Sequence, residues 1–207
     1  MKIMKHKALL LFWGALFASG TLFAQEKLLT DIDFDGIKDS VYVDKEKSVI
    51  VCRLSSQKFK IIKSKPIEIL NDQSGVSETH NGFQFSNNWM RAGYYNQFRF
   101  DKKTKRIQLI GMNRYEFGNA ANDGSGESSV NLLTGNYIGD WNYYDHFYNN
   151  EEGELVKIPT IKTKMPFKKI YLEGFDDGDY FEFGSLCADL FHQHKAKEQK
   201  RRKKQIW

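Results

Sequence analysis

Residues 82–117 constrain the fold of this chain more than any other stretch. Phe83 and Phe85 alternate with polar residues, and Tyr94, Asn96, Phe98 and Phe100 share one parity while Tyr95, Gln97 and Arg99 share the other. After the turn-like DKKTK at 101–105, alternation resumes at Ile107, Leu109 and Gly111 and runs on through Tyr115 and Phe117. A side-chain period of two sends successive residues to opposite faces, so the pattern predicts half-buried antiparallel strands joined by a hairpin.

Shorter runs extend the sheet on both sides. Residues 40–43, 48–54 and 59–62 read as strands separated by turns at 44–47 and 55–58, and 130–134 with 136–147 as a strand pair around Gly135. Residues 167–172 and 180–183 read as the last strands. Residues 63–80, with Pro66 and Gly75, read as a loop with a short edge strand at 67–70, and the Gly- and Asn-rich 118–129 as a loop. At Ser185 the period changes. Cys187, Leu190, Phe191 and His194 fit one helical face, with Ser185 as N-cap and Asp189 in the first turn. The fold expected for residues 25–194 is therefore a single all-β domain, a mostly antiparallel meander, sandwich or propeller-like sheet, with a C-terminal α-helix.

The two ends differ in character from the body. Lys2, Lys5 and Lys7 precede an apolar run over residues 8–17 and small residues up to Ala24, which is the pattern of a secretory signal peptide over residues 1–24. No Cys follows to carry a lipid, so the expected location is periplasmic or secreted. The formal net charge of +5 misleads, because Lys195, Lys197, Lys200, Arg201, Arg202, Lys203 and Lys204 concentrate it in a basic tail over 195–207. The body is net acidic, which argues against nucleic acid as a partner and leaves peripheral contact with a membrane surface to the tail. Cys52 and Cys187 are the only cysteines; an oxidising compartment permits one disulfide, and two buried thiols fit equally well.

One stretch carries a specific chemistry. In DIDFDGIKD, Asp31, Asp33, Asp35 and Asp39 occupy positions 1, 3, 5 and 9 of a loop with Gly36 at position 6. Carboxylates brought together by that bend repel unless a divalent cation sits among them, and calcium takes six to eight oxygens in flexible geometry. Asp31, Asp33, Asp35 and Asp39, with the backbone carbonyl of Ile37 at position 7, are the predicted calcium ligands. Position 12 is Tyr42 rather than Glu and a strand follows, so the expectation is a structural ion, with Asp44 or water completing the shell.

Other constellations are less specific. Glu173, Asp176, Asp177 and Asp179 read as an acidic turn. Trp141, Tyr143, Tyr144, Phe147 and Tyr148, with Trp89, Tyr94 and Tyr95, suggest either core aromatics or a sugar-stacking platform beside Glu116, Glu127 and Asp145. His80, His146, His192 and His194 show no zinc or catalytic spacing.

The D-x-D-x-D-G-x-x-D-S-V motif following a signal peptide, with SSVNLLTG at 128–135 and the hairpin over 94–117, resembles a group of small exported bacterial proteins. In that group an EF-hand-like, integrin-type calcium loop sits on a β-propeller-like domain, and some members inhibit glycoside hydrolases of the lysozyme kind. The resemblance implies calcium ligands at Asp31–Asp39 and assigns no inhibitory residue. The expected function is a calcium-stabilised binding domain without catalysis, directed at an envelope protein or a cell-wall glycan. The alternatives are a glycan-active enzyme using surface carboxylates and a structural envelope protein tethered by its tail.

Overall fold

The computed structural model describes residues 27–146 and 152–204, so the signal peptide expected over residues 1–24 lies outside the described residues. A small sheet is a meander of β1 (Lys27–Thr30), β2 (Asp39–Asp44), β3 (Val49–Arg53) and β4 (Ile61–Lys63). A large antiparallel sheet runs in chain order through β5 (Gly75–Thr79), β6 (Gly82–Asn88), β7 (Ala92–Asp101), β8 (Arg106–Glu116), β9 (Gly126–Asn131) and β10 (Asn136–Asp145). Two short strands share the far edge of β10: β11 (Glu154–Lys157) pairs with its second half and β12 (Ile161–Lys164) with its first. The large sheet does not close into a barrel. The expected all-β architecture with a C-terminal helix is what the chain adopts.

The inner face of the large sheet is aromatic. Phe83 stacks on Phe98 with centroids 5.1 Å apart, and Phe175 meets both Phe85 and Phe98 edge-on. One irregularity decides what the other face carries. Between β7 and β8 the register shifts, so that Gln97 opposes Gly111 while Phe98 opposes Leu109. Ile110 is the extra residue of a β-bulge, and the bulge reverses parity along β8. Ile107 and Leu109 face the core before it, and Met112 does so after it. Gly111, Asn113 and Tyr115 therefore point outward, whereas unbroken alternation had placed Gly111 and Tyr115 beside Ile107 and Leu109.

The helix α1 (Asp177–Lys203) begins two turns earlier than the period change at Ser185 indicates. Its N-cap is Asp176, in a capping box with Asp179, so residues 180–183 are helical rather than a strand. Gly178 and Gly184 disguise this start, since each costs about 1 kcal/mol in a helix relative to Ala. Tertiary packing overrides that penalty. Tyr180 stacks on Tyr94 at 4.0 Å, Phe183 meets Tyr137 and Phe167, and Phe191 meets Trp141. Cys187 is buried in the same seam, 3.4 Å from the Ser128 hydroxyl, and both Cys187 and Cys52 are free thiols.

The basic stretch is part of this helix as far as Lys203. Lys195 bonds Asp123 at 3.1 Å and Arg202 bonds Glu154 at 2.8 Å, tying the helix to the large sheet and its β8–β9 connection. Among the described residues, no helix is long and apolar enough to cross a membrane.

Other departures have local causes. Residues 67–70 form no strand: Ile67 is buried, the Glu68 N–H donates to Asp177 Oδ2 at 2.9 Å, and the Ile69 carbonyl accepts from Asn87 Nδ2. The strand of that region is β5 instead. Residues 126–129 belong to β9, where Gly126 (φ 150°) lets β10 approach so closely that a Cβ would lie 2.1 Å from the Asp140 carbonyl oxygen. Of residues 167–172, only Tyr171 bridges a strand, at Gln108.

The N-cap gives a first prediction. Asp176→Ala is expected to cost about 1 kcal/mol. Chemical denaturation should show a lower midpoint with an unchanged slope. A second prediction concerns acid. Partial burial pushes the Asp123 carboxyl up, but the Tyr144 N–H and the Lys195 ammonium outweigh it and hold it below the usual carboxylate range. A depressed folded value means this contribution is complete above the unfolded Asp value, about 3.9, and is lost as pH falls through the lower folded value. Asp123→Asn should therefore be less stable than the wild type near neutrality, and the gap should narrow in melts below about pH 4.

Candidate metal centre

The acidic loop is pinned at both ends before any ion is considered. Ile32 and Asp39 are fully buried. Asp39 Oδ2 accepts the N–H groups of Ile32 (2.8 Å) and Asp33 (3.1 Å), and its Oδ1 accepts the Ser55 N–H at 2.7 Å. Asp31 accepts from Asp35 N–H (3.1 Å) and Gly36 N–H (2.9 Å), which wraps the chain around its carboxylate. Gly36 sits at φ 86°, where glycine is favoured, and Phe34 is also left-handed at φ 63°.

This arrangement draws Asp31, Asp33 and Asp39 together, with one oxygen of each within 4.8 Å of the others. Asp33 is 5% exposed. Its Oδ2 accepts the Ser56 hydroxyl, and its Oδ1 is buried with no hydrogen-bond partner. Burial, followed by the neighbouring Asp39 and Asp35 charges, raises the Asp33 carboxyl above its usual range despite the Ser56 bond. A buried carboxylate oxygen without a partner is costly, and a cation among the three groups would remove both that cost and their mutual repulsion. Each oxygen of Asp31 and Asp39 that takes one N–H keeps a second lone pair. The donors are all oxygen, which suits a hard cation and not zinc or copper. The triad can thus hold a metal ion.

Asp35 is placed differently. Its carboxylate accepts the Ile37 N–H at 2.8 Å and the Ser55 hydroxyl at 2.7 Å, and it lies outside the triad. Asp44 is engaged by Lys47, through the backbone N–H and the ammonium, each at 3.1 Å. Ser55 and Ser56, in the 3-10 turn Ser55–Gln57, support the loop across the small sheet, a role the spacing of aspartates did not signal. A cleft of about 450 Å³ beside the loop, lined in part by Asp33, Phe34, Asp35 and Phe100, gives access from solvent.

The second acidic group opens α1 and stabilises it. Asp176 and Asp179 cap the helix, Asp177 accepts Glu68 N–H, and Glu173 pairs with Arg106 at 3.3 Å. Among the aromatic candidates, Tyr94, Trp141 and Tyr143 are core residues, whereas Phe147 and Tyr148 lie outside the described residues. Glu116 pairs with Arg114, and Asp145 lies 3.8 Å from Arg202, so neither is set up for acid–base work. Comparison with protein-family models, curated proteins and solved structures gave no match.

The unpartnered oxygen yields a prediction that needs no metal. Asp33→Asn removes an uncompensated buried charge while keeping size and an acceptor for Ser56. In chelator, its melting temperature should equal or exceed that of the wild type. A clear fall in chelator would show that the Asp33 charge is already balanced by the protein.

Proposed function

We propose that the chain is an exported, calcium-stapled β-domain that acts by binding an envelope protein or a cell-wall glycan. The observation that carries this reading is the buried, unpartnered Oδ1 of Asp33, a carboxylate that clusters with Asp31 and Asp39. Calcium is the ion because the donors are carboxylates on a bent loop that leaves room for carbonyl and water ligands, and calcium accepts such irregular shells more readily than magnesium does. Asp35 and the Ile37 carbonyl are the further ligands suggested by the loop spacing, with Asp35 exchanging its Ser55 bond for the ion. The resemblance to exported calcium-loop proteins supports the same reading. Binding is favoured over catalysis because two of the three candidate carboxylates, Glu116 and Asp145, face arginine partners, which leaves Glu127 without either as a catalytic mate.

Calcium would hold the end of β1 against the start of β2 and the Ser55–Gln57 turn. Extracellular calcium modules bind at about 10⁻⁴–10⁻³ M. At 10 mM calcium, that range stabilises the fold by about 1.4–2.7 kcal/mol. For a domain of this size the melting temperature should rise by about 3–10 °C over the chelated protein. Asp33→Asn and Asp39→Asn should lose the calcium increment. Equal melts of wild-type protein in chelator and in calcium would overturn the staple.

A further inference from the structure

We infer that the outer face of the large sheet carries a shallow binding cleft for a neutral glycan, centred on Tyr95 and Tyr115. This inference deepens the binding-domain reading and rests on it for its biological sense. The cleft has a volume of about 230 Å³ and spans β7 to β10. Strand register brings its residues into adjacent rows. Tyr95 opposes Asn113, which opposes Ser129. In the neighbouring row Gly93 opposes Tyr115, Tyr115 opposes Glu127, and Glu127 opposes Asp140.

The β8 bulge places Tyr115 here. Its ring lies across Gly93, where a Cβ would come within 2.7 Å of it, and its hydroxyl donates to Asn88 Oδ1 at 3.2 Å. The Tyr95 and Tyr115 rings are 6.0 Å apart with planes 28° from parallel. A ring lying on the sheet with amides around it matches the apolar face and hydroxyl rim of a sugar.

Charge selects the class of occupant. Asp140 accepts the Thr160 hydroxyl at 2.7 Å and lies 3.5 Å from Lys157, while the Arg114 guanidinium turns to the inner face, over the Trp141 ring and paired with Glu116. That leaves the cleft about one negative charge, at Glu127, which turns away a polyanion and is little to gather a polycation, so a neutral occupant is favoured. What remains are groups that both donate and accept, Asn113 and Ser129, and the acceptors Glu127 and Asp140. The amide row continues beside it through Gln84, Gln97, Asn131 and Asn136. A volume below the roughly 300–1,000 Å³ of engulfing pockets suits a chain lying across the strands.

The test is calorimetric titration of the folded protein with N-acetylglucosamine tetramer, cellotetraose and mannotetraose, with spermine as the cationic probe. Backbone NMR shifts should locate the bound sugar. The expected result is saturable binding of at least one saccharide, with shifts at Asn113, Glu127 and Ser129. Tyr115→Ala should weaken binding about tenfold. Tyr144→Ala, on the same face but outside the cleft, should leave it unchanged. Because Tyr115→Ala removes a ring packed on Gly93, Glu127→Gln and Asn113→Ala provide surface variants that keep the fold, and each should weaken binding severalfold. No saccharide binding by folded wild-type protein, binding indifferent to these variants, or spermine taking the site in place of sugar would each overturn the cleft. Titrations with calcium and with chelator separate the two readings. Loss of the calcium increment with sugar binding retained removes the staple alone, and a retained increment without sugar binding removes the cleft alone.

Discussion

The structure depends on the contact between α1 and the inner face of the large sheet. An open antiparallel sheet exposes both faces unless something covers one, and here the inner face is mostly aromatic and aliphatic, with Asn87, Asn96, Arg114 and Ser128 buried among the rings. Tyr180, Phe183, Cys187 and Phe191 recur at three- and four-residue spacing and lie along it from β7 to β10. The segment between β4 and β5 reaches the opening of the same helix, with Lys65 N–H donating to the Phe175 carbonyl at 3.0 Å and Glu68 N–H donating to Asp177. The helix start, the crossover between the sheets and the aromatic core therefore form one unit. The cost of two helical glycines is small against the burial of that many rings.

With one face covered, the other is free to carry polar groups, and the bulge at Ile110 decides which ones. Without it, Tyr115 would share the parity of Leu109 and compete for core space, and Met112 would face water. The extra residue settles both at once, and it brings Tyr115 beside Tyr95 instead of Ile107. A single irregularity in register thus links core packing to the composition of the exposed face.

Strand existence was legible because alternation is a local signal, and it runs unbroken within 82–88 and again within 93–101. The parity reversal in β8 was not legible, because Gln108, Ile110 and Gly111 alternate plausibly in either register and only pairing with β7 chooses between them. The helix start at Asp177 was hidden for another reason: DDGD reads as a turn until Asp179 is seen closing a box on Asp176. The aspartate spacing correctly marked Asp31, Asp33 and Asp39 as a group. It could not reveal Ser55 and Ser56, since their approach depends on how β3 returns the chain to the loop. Strand-spaced aromatics such as Trp141 and Tyr143 read first as core and second as a platform, and their burial followed from a helix face whose first turns were concealed.

The loop is better understood as a preformed cradle than as a segment that an ion folds. Three N–H groups hold the buried Asp39, and two more hold Asp31, all without a cation. Ile32 anchors the loop in the core. An ion entering here needs little chain ordering, so its binding energy appears as added stability rather than as a change of shape. A sensor requires two arrangements of similar free energy, separated by what the ligand contributes. The anchors at Ile32 and Asp39 leave the second arrangement without a core contact to hold it, and Asp35, bonded to the Ser55 side chain, is the carboxylate with most freedom to swing. Its movement alters two bonds at the surface, from the Ser55 hydroxyl and the Ile37 N–H, which fits a staple and is too local to drive a switch.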